Sequence, residues 1–552
     1  MIKTCGPGLA LPLKIIFTNI IQTGIYPEQW KKANVTPVHK KNDKQIINNY
    51  RPISLLPVLG KIFEKIIFKN IYNHLVTNNL ISNNQSGFRP GDSCTNQLLS
   101  LIHEIHKAFD DKNCLEVRSV YLDMSKAFDK VWHDGLLFKL KQNGINGKLL
   151  SLMENYLSQR KQRVVLNGQN SSWAPIESGV PQGSVLGPLL FLIFINDLEA
   201  DLTNQVKFFA DDTSILSVVN DPVTSAYHLN KDLDSITKWA HQWKMSFNPD
   251  PLQPAEEIIF SCKNKSTHHP PLYFGNTQVK KVNSHKHLGF ILDSKLSFVQ
   301  HINEKVRTAR KWIGILRQLR SYLPLKSLDQ IYKMNIRSHF DYCDIIYHSP
   351  AITGEYKSSF SLNYKMNILE RTQYQAALAI TGTWKATNTD KLYEELGWES
   401  LHHRRIFRRL VTIYKIQNNL SPDYLKGPIT TKNQIYSLRK NNYLTSIRWR
   451  SKKFRNSFYP DAIELWNNLD DKIRNTPSLS QFKTSLLKLI RPEKKEIFVN
   501  DLIGVKWLFQ LRVGLSHLRE HRKRPKTHLA IYVNAQLILS PLNIFYLNVH
   551  FT

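Results

Sequence analysis

Two hydrophobic periods alternate along this chain. Ile62, Ile66, Ile67, Ile71 and Leu75 recur at helical spacing with Lys61, Lys65 and Lys69 between them. The stretch 12–110 as a whole reads as mixed short helices and loops. Residues 116–125, EVRSVYLDMS, predict a half-buried strand that ends in acid. Helices are predicted at about 133–142 and 147–158. Arg163 to Asn167 reads as a strand, with Gly168 and Asn170 marking a turn before Trp173 to Ile176. The Gly/Pro-rich loop 179–188 leads into an apolar helix, 189–199. Val206 to Ala210 and Thr213 to Val219 are two β-rich runs joined only by Asp211-Asp212. Beyond about 294 one helical face carries Ile302, Val306, Ala309, Ile313 and Leu316, with basic residues opposite. The rest to about 490 is helical and basic, and there is no internal repeat.

Charge changes the picture. Among 552 residues, Lys plus Arg is 75 and Asp plus Glu is 44, a net +31. A surplus of that size makes a polyanion the default partner. An anionic membrane is the poorer choice, because the fully apolar run Leu189–Ile195 is far too short to span a bilayer. The five cysteines include no C-x-x-C pair, which argues against a disulfide framework and a Cys-based zinc site. The first twenty residues lack a signal peptide's pattern, so secretion is not expected. The segment 439–455, RKNNYLTSIRWRSKKFR, holds seven Lys/Arg and no acid, interleaved with Tyr443, Trp449 and Phe454. Arg448, Arg450, Lys452 and Lys453 suit a nucleic-acid backbone with stacked bases; a solvated helix face is the equal alternative.

Acid is scarce and placed unusually. Asp123 ends an apolar strand, and Asp211 and Asp212 sit side by side between strands. Adjacent carboxylates raise each other's pKa, and a divalent cation offsets that cost directly. Hard oxygen ligands select Mg²⁺ or Mn²⁺. A third carboxylate from a neighbouring strand would complete a two-metal site for phosphoryl transfer. The natural substrate for so basic a protein is a nucleic acid with a nucleoside triphosphate.

These residues stand in an ordered set: QWKKANVTPVHKK (29–41), NNYRPISLLPVLGKIFEK (48–65), QSGFRPGDSC (85–94), YLDMSKAFDKVWH (121–133), GVPQGSVLGPLLFLIFINDL (179–198), FADDTSIL (209–216) and HKHLGFILD (285–293). The set resembles the reverse transcriptase of a non-LTR (LINE-like, jockey or CR1-type) retrotransposon. The resemblance implies an α+β fold: a right-hand polymerase with a ferredoxin-like palm, helical fingers, a helical thumb and a basic helical C-terminal region. It implies a lead-in at 1–20, fingers and palm over 21–293, thumb or connector helices over 294–420, a basic region over 421–526 and an atypical tail at 527–552.

The resemblance also assigns roles. Asp123, Asp211 and Asp212 match catalytic carboxylates, with Asp123 and Asp211 the main metal ligands, Asp212 more peripheral and the Met124 carbonyl an added oxygen. Two Mg²⁺ ions are implied, with Mn²⁺ possible. Arg51, Ala127, Phe128, Gln182 and Gly183 match the nucleotide site. Phe128 is the aromatic that excludes a ribose 2′-OH. Leu288 and Gly289 match the hairpin that grips the primer end. The implied partners are an RNA template, a DNA primer or target and dNTPs, in the nucleus or a cytoplasmic ribonucleoprotein. Trp132 and His133 read as packing, Asp129 as facing away in a structural pair or cap, and His402 and His403 beside Arg404 and Arg405 as RNA contacts.

The sequence departs from the family in three places. Where relatives carry a lysine after the Asn-Pro that follows the metal hairpin, this chain has Leu252 and Gln253; Lys244 is the candidate substitute. No endonuclease domain is expected before the fingers. A Cys/His knuckle is not found after 526, and a frameshift is the expected cause. A catalytically impaired relic that only binds nucleic acid is the competing expectation.

Overall fold

The computed structural model describes residues 6–40, 43–247, 255–263, 267–347, 368–385, 387–430 and 443–490. Leu252, Gln253 and the segments 439–442 and 527–552 lie outside them. The fold is mixed α and β. Its centre is a five-stranded sheet ordered Lys280–Lys281, Glu256–Phe260, Glu116–Asp123, Asp212–Val219, Gln205–Phe209. The strand Glu116–Asp123 is the middle member and pairs antiparallel on both sides. With the helices between, the order runs β-α-β-β-α-β, a split arrangement. The middle strand is buried on both faces up to Leu122, and only Asp123 emerges. The half-buried reading fails because helices cover both sides of the sheet.

The sheet divides two hydrophobic clusters. On one side Val120, Leu122 and Ile215 meet the helices Val58–Thr77, His133–Gln142, Leu186–Ile195 and Pro222–Gln242. Nine of the ten residues of Leu186–Ile195 are buried, as a helix apolar all round requires. It starts and ends earlier than the apolar run suggests, because the Ser184 hydroxyl accepts the Gly187 amide and fixes the first turn. On the other side Val117, Tyr121 and Phe260 meet the helix Cys94–Asp110, the hairpin Ser284–His287 with Phe290–Asp293, and helices from Val299–Leu319 to Leu479–Ile490. The predicted stripe Ile302, Val306, Ala309, Ile313, Leu316 is buried here. No described helix is long and apolar enough to cross a membrane.

The region 12–110 is more regular than its sequence suggests. It contains helices of 20 and 17 residues, Val58–Thr77 and Cys94–Asp110, and the antiparallel strands Lys32–His39 and Tyr50–Leu55. Pro37 and Pro52 obscured the strands; the two prolines sit opposite each other in the ladder. Lys32–His39 also pairs in parallel with Arg160–Leu166, which in turn pairs with Ala174–Ile176. This second sheet buries Ala33, Val35, Ser54 and Arg160.

Four buried histidines, His103, His106, His287 and His301, line the second cluster region. Burial pushes His103 down to about 4 and the other three down to about 3. The unfolded chain takes up these protons first, so this stability is complete above pH 6.5 and is lost as pH falls toward the folded values. At pH 5 each histidine should cost about 1–2 kcal/mol. Unfolding free energy measured from pH 7 to 5 should fall steeply, and His106→Gln should reduce the slope by about 1 kcal/mol per pH unit.

Candidate active site

The antiparallel register sets Asp123 opposite Asp212, and Phe209 opposite Asp212 across the hairpin. The two-residue loop is therefore Ala210-Asp211, and Asp212 already belongs to the strand. Ala210 takes a positive φ of 57°, the hand that suits a two-residue hairpin between twisted strands. The three carboxylates are within electrostatic reach of one another. Asp212 is pushed up to about 7, first by burial, then by Asp211 and Asp123. Asp211 is raised first by burial, with Asp123 adding to it. Lys40 and Arg51 act in the opposite direction on both. Among the described residues no three His, Cys, Asp or Glu side chains close into a preformed metal cluster. The donor set nevertheless fits a hard divalent cation: carboxylate oxygens that raise one another's pKa where a cation would relieve them. Met124 follows in a backbone bridge to Phe247.

Ala127–Asp129 forms a single 3-10 turn directly after this strand. The Phe128 ring stacks on Phe191 at 4.7 Å between centroids and meets Phe88 edge-on at 5.7 Å. Its carbonyl accepts the Val180 amide at 2.7 Å, which ties this turn to the loop 179–188. Within that loop Gln182 Nε2 donates to Asp129 Oδ1 at 2.9 Å. Asp129 thus does not face away; it orients the glutamine of the predicted nucleotide loop. The Gln182 carbonyl accepts the Ser54 amide at 2.7 Å. Gly183 has φ 121°, and a Cβ there would lie 2.5 Å from the Ser54 carbonyl oxygen. The glycine is required by the neighbouring strand. Arg51 is on the strand Tyr50–Leu55, with Val38 as its cross-strand partner. Glu64, unmarked among the lysines of its helix, is buried and accepts the amides of Val185 and Leu186 at 2.7 and 3.1 Å. It satisfies two orphan donors where the predicted nucleotide loop becomes a helix.

Leu288 and Gly289, φ 49° and 76°, form the two-residue turn of the hairpin Ser284–Asp293. The Tyr342 hydroxyl donates to the Leu288 carbonyl. Lys244 Nζ lies 4.1 Å from the Trp132 ring centroid. His133 Nε2 lies 2.8 Å from the Gly179 carbonyl oxygen, a structural bond as expected.

The basic segment is irregular over 443–451, with bends at Arg450 and Ser451, and Lys452–Arg455 is helical. Arg448 and Arg450 are exposed side chains, while the Arg450 and Ser451 amides bond the Asp110 carboxylate. Lys452 is exposed, but Lys453 Nζ donates to the Lys295 carbonyl. His402 and Arg405 are buried, and Arg404 pairs with Asp341 and Glu399. The RNA-contact reading fails for His402 and Arg405, which are buried where this helix packs into the second cluster; His403 is half-buried.

Sequence reasoning missed a basic sheet face. Lys32 is opposite Lys161, Asn34 opposite Arg163 and Leu55, and Val38 opposite Arg51, so all share one face. Beside it the half-exposed Trp173 ring lies 4.7 Å from the Arg163 guanidinium and 5.9 Å from Lys32 Nζ. None of these positions is acidic, and the Arg51 end adjoins the carboxylates. The signal was period-two placement of Lys32 with Asn34, hidden by the helical reading.

Residues 38–292 match the family model described as reverse transcriptase (RNA-dependent DNA polymerase). Such a domain implies dependence on a divalent metal in general. Across 333 residues, 58% of this chain and 36% of the relative, the chain is 31% identical to the RNA-directed DNA polymerase from mobile element jockey of Drosophila melanogaster. It is 30% identical over 348 residues, 61% of this chain and 37% of the relative, to the probable RNA-directed DNA polymerase from transposon X-element of the same species. The chain spans little more than a third of the length of these curated relatives. Among solved structures, apo telomerase from Candida tropicalis aligns over 70% of this chain and 73% of that one, at 12% identity and a TM-score of 0.36.

Gly183→Ala should destabilise the chain by about 1–3 kcal/mol, the cost of strained backbone plus the clash with Ser54. Denaturant unfolding of parent and variant measures it.

Proposed function

We propose that this chain is an RNA-directed DNA polymerase of a non-LTR retrotransposon, acting in the nucleus or a cytoplasmic ribonucleoprotein. The observation that carries the reading is the meeting of Asp123, Asp211 and Asp212 at the one open end of a buried strand, with Lys40 and Arg51 facing them. In this reading the central sheet is a ferredoxin-like palm, the second sheet and its helices are fingers, and the helices after 294 are the thumb. The primer 3′-OH attacks the α-phosphate of a dNTP; a new P–O bond forms and pyrophosphate leaves.

Asp123 and Asp211, with Asp212 and the Met124 carbonyl as lesser donors, would hold two Mg²⁺ ions. When bound, these supply Lewis-acid stabilisation of the attacking and leaving oxygens. The side chains do the rest. Arg51 and Lys40 carry cationic charge for the triphosphate. Gln182, oriented by Asp129, lines the incoming nucleotide with Gly183 and Ala127. Phe128 is braced by Phe191 and Phe88, so a ring held on two sides excludes the 2′-OH sterically. Leu288 and Gly289 grip the primer end. The basic face ending at Trp173 suits a nucleic-acid strand, with backbone charge met by Lys32, Lys161 and Arg163 and a base stacked on the indole. Arg448, Arg450 and Lys452 offer a second contact; Lys453 serves mainly to dock its own segment.

A second reading is a relic that binds nucleic acid without catalysis, favoured by Leu252 and Gln253 where relatives carry a lysine. General-acid help of the kind such a lysine would give is worth about 10²–10⁴-fold. Primer extension on an RNA template with Mg²⁺ and dNTPs separates the two. Extension by the parent is expected, and Asp211→Asn should abolish it while RNA binding persists. Binding without extension by the parent would favour the relic.

Phe128→Val removes the braced ring. It should raise ribonucleotide over deoxyribonucleotide incorporation, read as the ratio of kcat/KM for the two sugars. An unmoved ratio would remove Phe128 from sugar selection.

A further inference from the structure

The turn that carries Asp211 is held from outside the central sheet. Asn84 to Gly87 runs beside Gln205–Phe209: the Ser86 amide donates to the Phe208 carbonyl and the Phe208 amide to the Asn84 carbonyl, both at 2.9 Å. This adds a parallel bridge between Gln85 and Phe208. The Gln85 side chain is buried, and its Oε1 accepts two backbone amides, Gly87 at 2.8 Å and Ala210 at 3.0 Å. Ala210 is the first loop residue, buried and held at positive φ. Gly87 packs so closely that a Cβ would lie 2.3 Å from the Ala210 nitrogen and 2.8 Å from the Phe209 carbonyl carbon. Arg89 secures the segment by donating to the Ser82 carbonyl at 3.0 Å.

We propose that Gln85 is a positioning residue: its carboxamide oxygen, through the Ala210 amide, locks the left-handed hairpin turn and so fixes where the Asp211 carboxylate points. Ala210 has no side chain with which to hold itself in a conformation that alanine disfavours. The restraint has to come from a neighbour, and Gln85 is a buried acceptor bonded to that amide. Gly87 acts with it, since no larger residue lets the segment approach. The sequence motif 85–94 thus acts on the carboxylates without touching a substrate. The inference rests on the polymerase reading for its kinetic consequence only.

The test uses the full chain, with Gln85→Leu, Gln85→Glu and Gly87→Ala. Leucine keeps the bulk and removes the acceptor; glutamate keeps an acceptor oxygen at the same reach. Two readouts are taken: amide hydrogen exchange in 205–216, and primer extension resolved into kcat, KM for primer–template and the Mg²⁺ concentration giving half the maximal rate. In Gln85→Leu the turn should exchange about ten-fold faster or more, as expected when a buried donor loses its partner, with the hairpin 284–293 unchanged. Its kcat should fall by about ten-fold or more and its Mg²⁺ requirement rise, with KM for primer–template within about two-fold of the parent. Gln85→Glu should recover much of both signals, and Gly87→Ala should reproduce the loss. Faster exchange with parental kcat and Mg²⁺ requirement would make Gln85 a folding contact only and overturn the proposal. Parental exchange in Gln85→Leu would overturn it directly. A parent that extends no primer would sink the polymerase reading, while the exchange readout would still decide whether Gln85 holds the turn.

Discussion

Like-charge repulsion among three carboxylates is the constraint on which this structure turns. Asp123 and Asp212 face each other at the end of paired strands, with Asp211 in the adjoining turn. Left alone, such a group would splay or take up protons; Asp212 is pushed up to about 7, first by burial and then by Asp211 and Asp123. What prevents splaying is the rigidity behind the acids. The middle strand is buried on both faces and bonded on both edges, so its end has nowhere to move. Lys40 and Arg51 lower the cost from the front. A site built this way holds anionic groups ready for a cation at the expense of local stability, which is the usual relation between function and strain.

The loops around the acids are positioned by the same physical device, a buried polar side chain that satisfies backbone amides. Glu64 takes two amides at the start of Leu186–Ile195, and Gln85 takes one from its own segment and one from the hairpin turn. Each joins an element that bears a site residue to one that does not. Because an unsatisfied buried donor costs about 1–3 kcal/mol, these contacts are stiffer than their number suggests. Asp129 works on Gln182 in the same manner, through a side-chain amide.

Much of the site was legible in the sequence, and the reasons are local. Asp123 closes a run of apolar residues, and Asp211-Asp212 interrupts two others, so their shared location followed from strand periodicity. The helices His133–Gln142 and Gly147–Leu157 followed from spacing almost to the residue. What was not legible depends on pairing between distant segments. Lys32–His39 carries a proline and reads as a strand only once Tyr50–Leu55 and Arg160–Leu166 are beside it. Glu64 looked like one more charge on a lysine-rich helix until Leu186 lay against it. Asp129 was misread for the same reason, since its partner is 53 residues away.

The distribution of the +31 charge follows from these two requirements together. Cations buried in the fold are spent on structure: Arg118 on Glu257, Arg409 on Asp461, Lys139 on Asp197. They contribute nothing to a distant polyanion. The useful positive potential comes from positions that the strand period turns outward, Lys32, Lys161, Arg163 and Arg51, on a face whose strand positions carry no acid. At its Arg51 end this face meets the carboxylates, where Arg51 and Lys40 oppose the rise in pKa of Asp211 and Asp212. An anion does not approach three carboxylates unaided; it needs flanking cations to hold it until a metal ion neutralises the contact. Arg51 and Lys40 therefore act on the carboxylates electrostatically and belong to the same device as the acids they face.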